Sequence, residues 1–170
     1  IMTMFVHGGN PSSATSELNF PAGPDTLGGV ESPIELFFRF SPISGDTLNF
    51  YEYRKRIYRG WSDATNTFNI DLELMTQMKG QLLDHANQPS TDSLRITLEA
   101  GALIARYNRE QNRMEVDLEG ATYAVRGNPA LSNIKSFTVG ITNRGDFTLE
   151  GENEIWIDEF GQGLTPPRVF

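Results

Sequence analysis

Apolar and polar side chains alternate along most of this chain, and that pattern constrains its fold more than any other feature. Ile34, Leu36, Phe38 and Phe40 alternate with Glu35, Phe37 and Arg39. Leu94, Ile96 and Leu98 repeat the rule, as do Met114, Val116 and Leu118, and Phe137, Val139 and Ile141. Phe68, Ile70, Leu72 and Leu74 follow it too, and so do Ile155 and Ile157. A period of two sends successive side chains to opposite faces of a strand, so each run builds a sheet with one dry face and one wet face. A dry face must be covered, and a second sheet about 10 Å away is the usual cover in an all-β chain. The expected fold is therefore all-β, a two-sheet antiparallel sandwich or a barrel.

Turn residues fall between the runs. Ser44-Gly45-Asp46 can close a hairpin between 34–40 and 47–58. The stretch Asn108-Arg109-Glu110-Gln111-Asn112 can join 102–107 to 113–118, and Asn143-Arg144-Gly145-Asp146 separates two later runs. Residues 73–88 are ambiguous. Leu74, Met78 and Leu82 stand at helical spacing. Gly80 interrupts them, at about 1 kcal/mol relative to alanine in a helix. A hairpin turning at Met78-Lys79-Gly80 is the favoured reading. A length of 170 residues suits one domain. Residues 1–31 read as a loose segment ahead of it, and 161–170 as a tail behind it.

Charge and composition remove several functions. With 14 basic and 22 acidic side chains the net charge is −8, whereas a nucleic-acid partner calls for a basic face. The absence of cysteine excludes disulfides, thiolate zinc sites and cysteine nucleophiles. His7 and His85 are the only histidines, too few for a histidine-rich metal centre. No apolar run approaches the ~20 residues of a membrane helix, so no membrane insertion is expected. Neither a G-x-G-x-x-G, a Walker, a G-x-S-x-G nor an H-E-x-x-H pattern occurs.

Four segments carry a family resemblance. Residues 34–42 (IELFFRFSP), 112–120 (NRMEVDLEG), 137–140 (FTVG) and 154–160 (EIWIDEF) resemble, in order, strands of laminin-G-like domains. The resemblance spans about residues 32–160. It implies a concanavalin A-like jelly roll of two stacked antiparallel sheets and, for many members, a role in glycan binding. The run Glu115-Val116-Asp117-Leu118-Glu119 is also similar to the Glu-Ile-Asp-Ile-Glu strand of retaining family-sixteen glycoside hydrolases. Alternate positions on one strand would send all three carboxyls into one groove. That similarity implies Glu115 as nucleophile, Glu119 as general acid/base and Asp117 as the group that tunes them. The bland alternative is a wet strand face with three carboxylates in water.

Other residues suit a sugar ligand. Aromatic faces take sugar C–H groups, and arginine pairs with hydroxyls or acidic substituents. Tyr51, Tyr53, Arg54, Arg56 and Trp61 lie in one aromatic and cationic stretch with Lys55 and Arg59, a local positive patch that would suit uronate or sulfated polysaccharide. Its structural counter-reading is an edge strand protected by charge. Trp61 reads as a loop residue, and Trp156 adds a further aromatic. Asp158 resembles the aspartate that many jelly-roll modules give to a structural Ca2+, with Asp25 or Glu31 as its expected partner. Arg144-Gly145-Asp146 has the form of an integrin-read tripeptide, though it is equally ordinary turn chemistry.

The expected function is a non-catalytic carbohydrate-binding or adhesive module, extracellular or on a cell surface, with a polysaccharide or glycan as partner. The alternatives are a small glycoside hydrolase or other polysaccharide-cleaving enzyme, and a structural jelly roll of a virion or surface layer.

Overall fold

The computed structural model describes residues 1–9, 20–24, 31–86, 93–98, 101–144 and 154–161. Its elements run β1 (Met2–Gly8), β2 (Ile34–Ser41), β3 (Phe50–Arg56), β4 (Gly60–Trp61), α1 (Asp63–Asn66), β5 (Thr67–Ile70), α2 (Leu72–His85), β6 (Ser93–Leu98), β7 (Gly101–Asn108), β8 (Arg113–Leu118), β9 (Ala121–Arg126), β10 (Ser136–Asn143) and β11 (Ile155–Gly161). Two sheets hold the strands. One has the order β11-β1-β4, with β5 also on β1; the other has the order β10-β2-β3-β9-β8-β7-β6. The fold is all-β with two antiparallel sheets, consistent with a sandwich, as the alternation requires. The chain divides into two compact units, Ile1–Leu36 with Lys55–Ile70 and Ile141–Phe170, and Phe37–Arg54 with Asp71–Gly140.

The first unit is organised around β1. This strand lies inside the segment expected to be loose, yet it is the middle strand of its sheet, between β11 on one side and β4 and β5 on the other. Met4 and Val6 are wholly buried on one face, beside the buried Phe68 and Ile70 of β5. Gly8 is required where β1 ends: a Cβ there would lie 2.2 Å from the Tyr58 carbonyl oxygen.

The second unit holds one departure from the sequence reading. Residues 73–88 do not form a hairpin. The helix α2 occupies Leu72–His85, and β5 ends at Ile70 instead of continuing to Leu74. Asp71 caps the helix, its carboxylate accepting from the amides of Glu73 and Leu74 at 2.9 and 3.1 Å. Leu74, Met75, Met78 and Leu82 are buried along one stripe. Full burial of each such side chain contributes roughly 1.5–3 kcal/mol, which outweighs the cost of Gly80. The helix packs on β9, β8 and β6, where Met114, Val116, Tyr123 and Val125 are buried. A helix thus covers this face of the large sheet over β6, β8 and β9. Burial there raises the Tyr123 phenol to about 12.

Gly80 itself is exposed, and a Cβ on it would meet nothing within 4 Å. Gly80→Ala is therefore expected to stabilise the protein by about 0.5–1 kcal/mol. Denaturant melts of the two proteins would show it as a higher midpoint at unchanged slope.

Candidate functional site

The face of the large sheet opposite α2 is built from charge. On β8, Met114 and Val116 point to the helix, so Arg113, Glu115 and Asp117 point away from it. Register adds Arg106 and Asn108 of β7 opposite Glu115 and Arg113, and Thr122, Ala124 and Arg126 of β9 opposite Asp117, Glu115 and Arg113. Glu52 lies two strands from β8, and its side chain is only 5% exposed. Arg39 donates to it at 2.9 Å and Arg113 at 3.0 Å, with Arg54 at 3.8 Å. Arg54 and Arg113 both reach Glu115, at 2.7 and 2.8 Å.

These bonds cross β9, and the small Ala124 is the residue that lets them. It stands directly opposite Glu115 and is itself buried; a larger side chain there would stand between the partners. Phe50, on the same face, lies under the Arg39 and Arg113 guanidinium groups at 4.2 and 5.6 Å. Arg106 donates to Asp117 and holds that carboxyl below its ordinary range, with Thr122 as a second donor at 2.7 Å. Among the described residues, four arginines (39, 54, 106, 113) meet three carboxylates (Glu52, Glu115, Asp117) here, and Arg126 stands on the same face, donating to the Gln111 carbonyl at 3.0 Å. The face is net positive on a chain of net charge −8.

The three acidic residues of the hydrolase-like strand are not brought together. β8 ends at Leu118, and Glu119 with Gly120 forms the two-residue turn into β9, at φ 51° and 75°. Positive φ at both central positions is the signature of a type I′ hairpin turn. Glu119 therefore leaves the face that Glu115 and Asp117 share. Glu115 and Asp117 are tied to arginines.

Tyr51 and Tyr53 are core residues, 1% and 2% exposed. The Tyr51 hydroxyl donates to the Pro129 carbonyl at 3.0 Å, and the Tyr53 ring meets Tyr123 edge-on at 5.0 Å. Neither offers a ring face to a ligand. The cationic stretch around them is not one patch either. Arg54 joins the charged face. Arg56 pairs with Glu31 at 2.7 Å and donates to the Ser32 carbonyl at 2.8 Å. Lys55 donates to the Thr67 carbonyl at 2.7 Å, and Arg59 to that of Phe20 at 3.1 Å.

Trp61 and Trp156 fare differently. Trp61 lies on the short strand β4, not in a loop, and pairs with His7 of β1; Trp156 of β11 pairs with His7 from the other side. Directly opposed residues share a face, so the register places Trp61, His7 and Trp156 in one row across three strands. Neighbouring strands lie about 4.8 Å apart, which sets the two indoles about 10 Å apart. The His7 ring meets Trp61 edge-on at 4.9 Å, and its Nδ1 lies 2.8 Å from the Gly9 carbonyl oxygen. His7 is buried, while Trp61 and Trp156 are 38% and 45% exposed. Trp156 Nε1 donates to Glu154 at 2.9 Å, which fixes the indole. Trp61 is held by its neighbours: Gly60 supplies φ 67°, and the buried Asn66 accepts from Tyr58 N at 2.9 Å and donates to the Tyr58 and Gly60 carbonyls at 2.7 Å each. The next row adds Phe5, Thr67 and the exposed Asp158.

His7 was missed by sequence reasoning, though Met2, Met4 and Val6 carry the alternation that marks its strand. Asp158 sits on β11, while Glu31 is paired with Arg56 and Asp25 lies outside the described residues. Among the described residues no group of three or more His, Asp or Glu side chains gathers to hold a metal. Of the tripeptide 144–146, only Arg144 is described; it pairs with Glu35 at 2.7 Å.

Comparison of the chain with protein-family models, curated proteins and solved structures returns no match.

Proposed function

We propose that this protein is a non-catalytic carbohydrate-binding module, of concanavalin A-like type, that takes a glycan on the face of the four-stranded sheet carrying Trp61 and Trp156. The observation that carries this reading is the Trp61–His7–Trp156 row, with both indoles exposed, Trp61 against the His7 ring and Trp156 bonded to Glu154. Large, rigid, half-exposed aromatic rings gain most by covering with an apolar surface, and the C–H faces of sugar rings are such a surface. Asp158 and Thr67 in the adjoining row supply polar groups for hydroxyls. The likeness of residues 34–42, 112–120, 137–140 and 154–160 to laminin-G-like strands supports the same reading. A surface or extracellular location goes with it.

The test is a panel of soluble polysaccharides and a glycan array, followed by titration of any hit. Trp61→Ala and Trp156→Ala are each expected to weaken binding about ten-fold, the scale of one lost aromatic contact. Tyr51→Phe, in the core, should leave affinity unchanged. Absence of binding to every glycan at millimolar concentration, or unaltered binding by the double tryptophan variant, would overturn the proposal.

A further inference from the structure

The strand order of the small sheet sets a repeat across its exposed tryptophans. Trp61 and Trp156 stand one strand to either side of His7, so they are separated by two inter-strand steps, about 10 Å. His7 is 2% exposed and the indoles are 38% and 45% exposed, so the row rises at both ends and dips in the middle. The adjoining row repeats the pattern in polarity. Phe5 lies two residues along β1 from His7, with Thr67 opposite it on the Trp61 side and Asp158 opposite it on the Trp156 side. Each indole thus has a polar side chain beside it, and the central position has an apolar one. All of these residues belong to the first unit. A linear glycan matches this pattern when its rings keep step with the strands. In an extended, equatorially linked chain of the β-1,4 type, each pyranose advances the chain by about one inter-strand spacing, and successive rings turn over. The first and third rings then present the same face and the same hydroxyl edge. They can cover the two indoles and turn like hydroxyls toward Thr67 and Asp158. The second ring crosses the dip over His7 with its opposite edge beside Phe5. An α-1,4-linked chain coils and does not hold alternate rings in line at that distance.

We infer, resting on the reading of this face as a glycan platform, that its ligand is an extended, equatorially linked polysaccharide lying across the strands, recognised as a unit of three sugar rings. Once the first ring is seated on one indole, the contact of the third with the other is intramolecular and adds affinity at little further cost.

The chain has two tryptophans, so its 15N NMR spectrum holds two indole Nε–H signals, one for each anchor. The whole protein would be titrated with β-1,4-linked di-, tri- and tetrasaccharides of glucose, xylose, mannose and N-acetylglucosamine, and with α-1,4-linked maltotriose. For at least one sugar the β-linked trisaccharide is expected to move both signals along a single isotherm. It should bind about ten-fold more tightly than the disaccharide, the scale of one added aromatic contact, and the tetrasaccharide should gain no more than about two-fold beyond it. Trp156→Ala should abolish that step, leaving di- and trisaccharide equal, and Trp156→Phe, which keeps a ring, should retain most of it. Equal affinity of di- and trisaccharide in the parent protein for every sugar overturns the inference, and so does maltotriose binding as tightly as the best β-linked trisaccharide. Binding only to α-linked or branched glycans, lost in the double tryptophan variant, would overturn the extended chain and leave the glycan platform standing; no binding to any glycan would remove both.

Discussion

Replacing Gly127 by alanine is expected to cost about 3–4 kcal/mol of folding stability, from two additive sources. The residue holds φ 65° just after β9, a conformation that costs an L-residue roughly 1–2 kcal/mol. A Cβ there would also lie 2.2 Å from the Leu48 carbonyl oxygen and 2.6 Å from the Asn49 side-chain oxygen. Neither can retreat freely. Asn49 accepts from the Asn128 amide at 3.0 Å and itself donates through its backbone to Asp46 at 2.9 Å, while Gly127 N donates to the Asn112 carbonyl at 2.9 Å. Gly120→Ala is the control. Its φ is 75°, but a Cβ would meet nothing within 4 Å, so only the conformational share, about 1 kcal/mol, is expected. Equilibrium denaturation of the three proteins would separate the terms, and equal losses in the two variants would refute the steric one.

Glu52→Gln is expected to be nearly as damaging, at about 3 kcal/mol. The substitution preserves volume and one acceptor oxygen, so it isolates charge. Glu52 is the buried anion on which Arg39, Arg54 and Arg113 converge. Its loss leaves Arg39 beside a neutral amide and Arg54 and Arg113 with Glu115 alone, their side chains 26%, 18% and 16% exposed. Removing one partner of a buried pair is costly because the other charge stays buried without compensation. The mechanism has its own signature. Sodium sulfate should restore more thermal stability to Glu52→Gln than to the parent, since an external anion can take the place of the missing one. Equal gains in both proteins would show that packing, not charge, had been lost.

Much of the strand content was legible because a period of two needs no tertiary information. The runs at 34–40, 94–98, 114–118 and 137–141 are strands, and the turn at 108–112 falls where its residues place it. β1 was obscured because Phe5 puts an apolar residue on the face opposite Met4 and Val6, blurring the alternation. The helix α2 was obscured by Gly80 and by the apolar positions 68–74, which read smoothly as one strand; the Asp71 cap and the buried stripe from Leu74 to Leu82 decide otherwise.

The candidate sites divide along the same line. Tyr51 and Tyr53 do share a face, but tyrosine suits a dry face as well as a wet one, and only the packing shows which face is dry. Alternation carried Glu119 along with Glu115 and Asp117 because Glu-Gly is a less obvious turn than Asn-Gly. The arginine face left no local trace at all. Arg39, Arg54, Arg106, Arg113 and Arg126 sit on five strands, and strand order alone brings them together.

The tryptophan row carries a kinetic consequence. β6 to β9 pair as consecutive hairpins, contacts close in sequence that form quickly. His7 and Trp156, by contrast, pair across roughly 150 residues, and closing so long a loop is entropically slow. The tryptophan row is consequently among the last features to mature, and a refolding intermediate with native-like hairpins would still lack it.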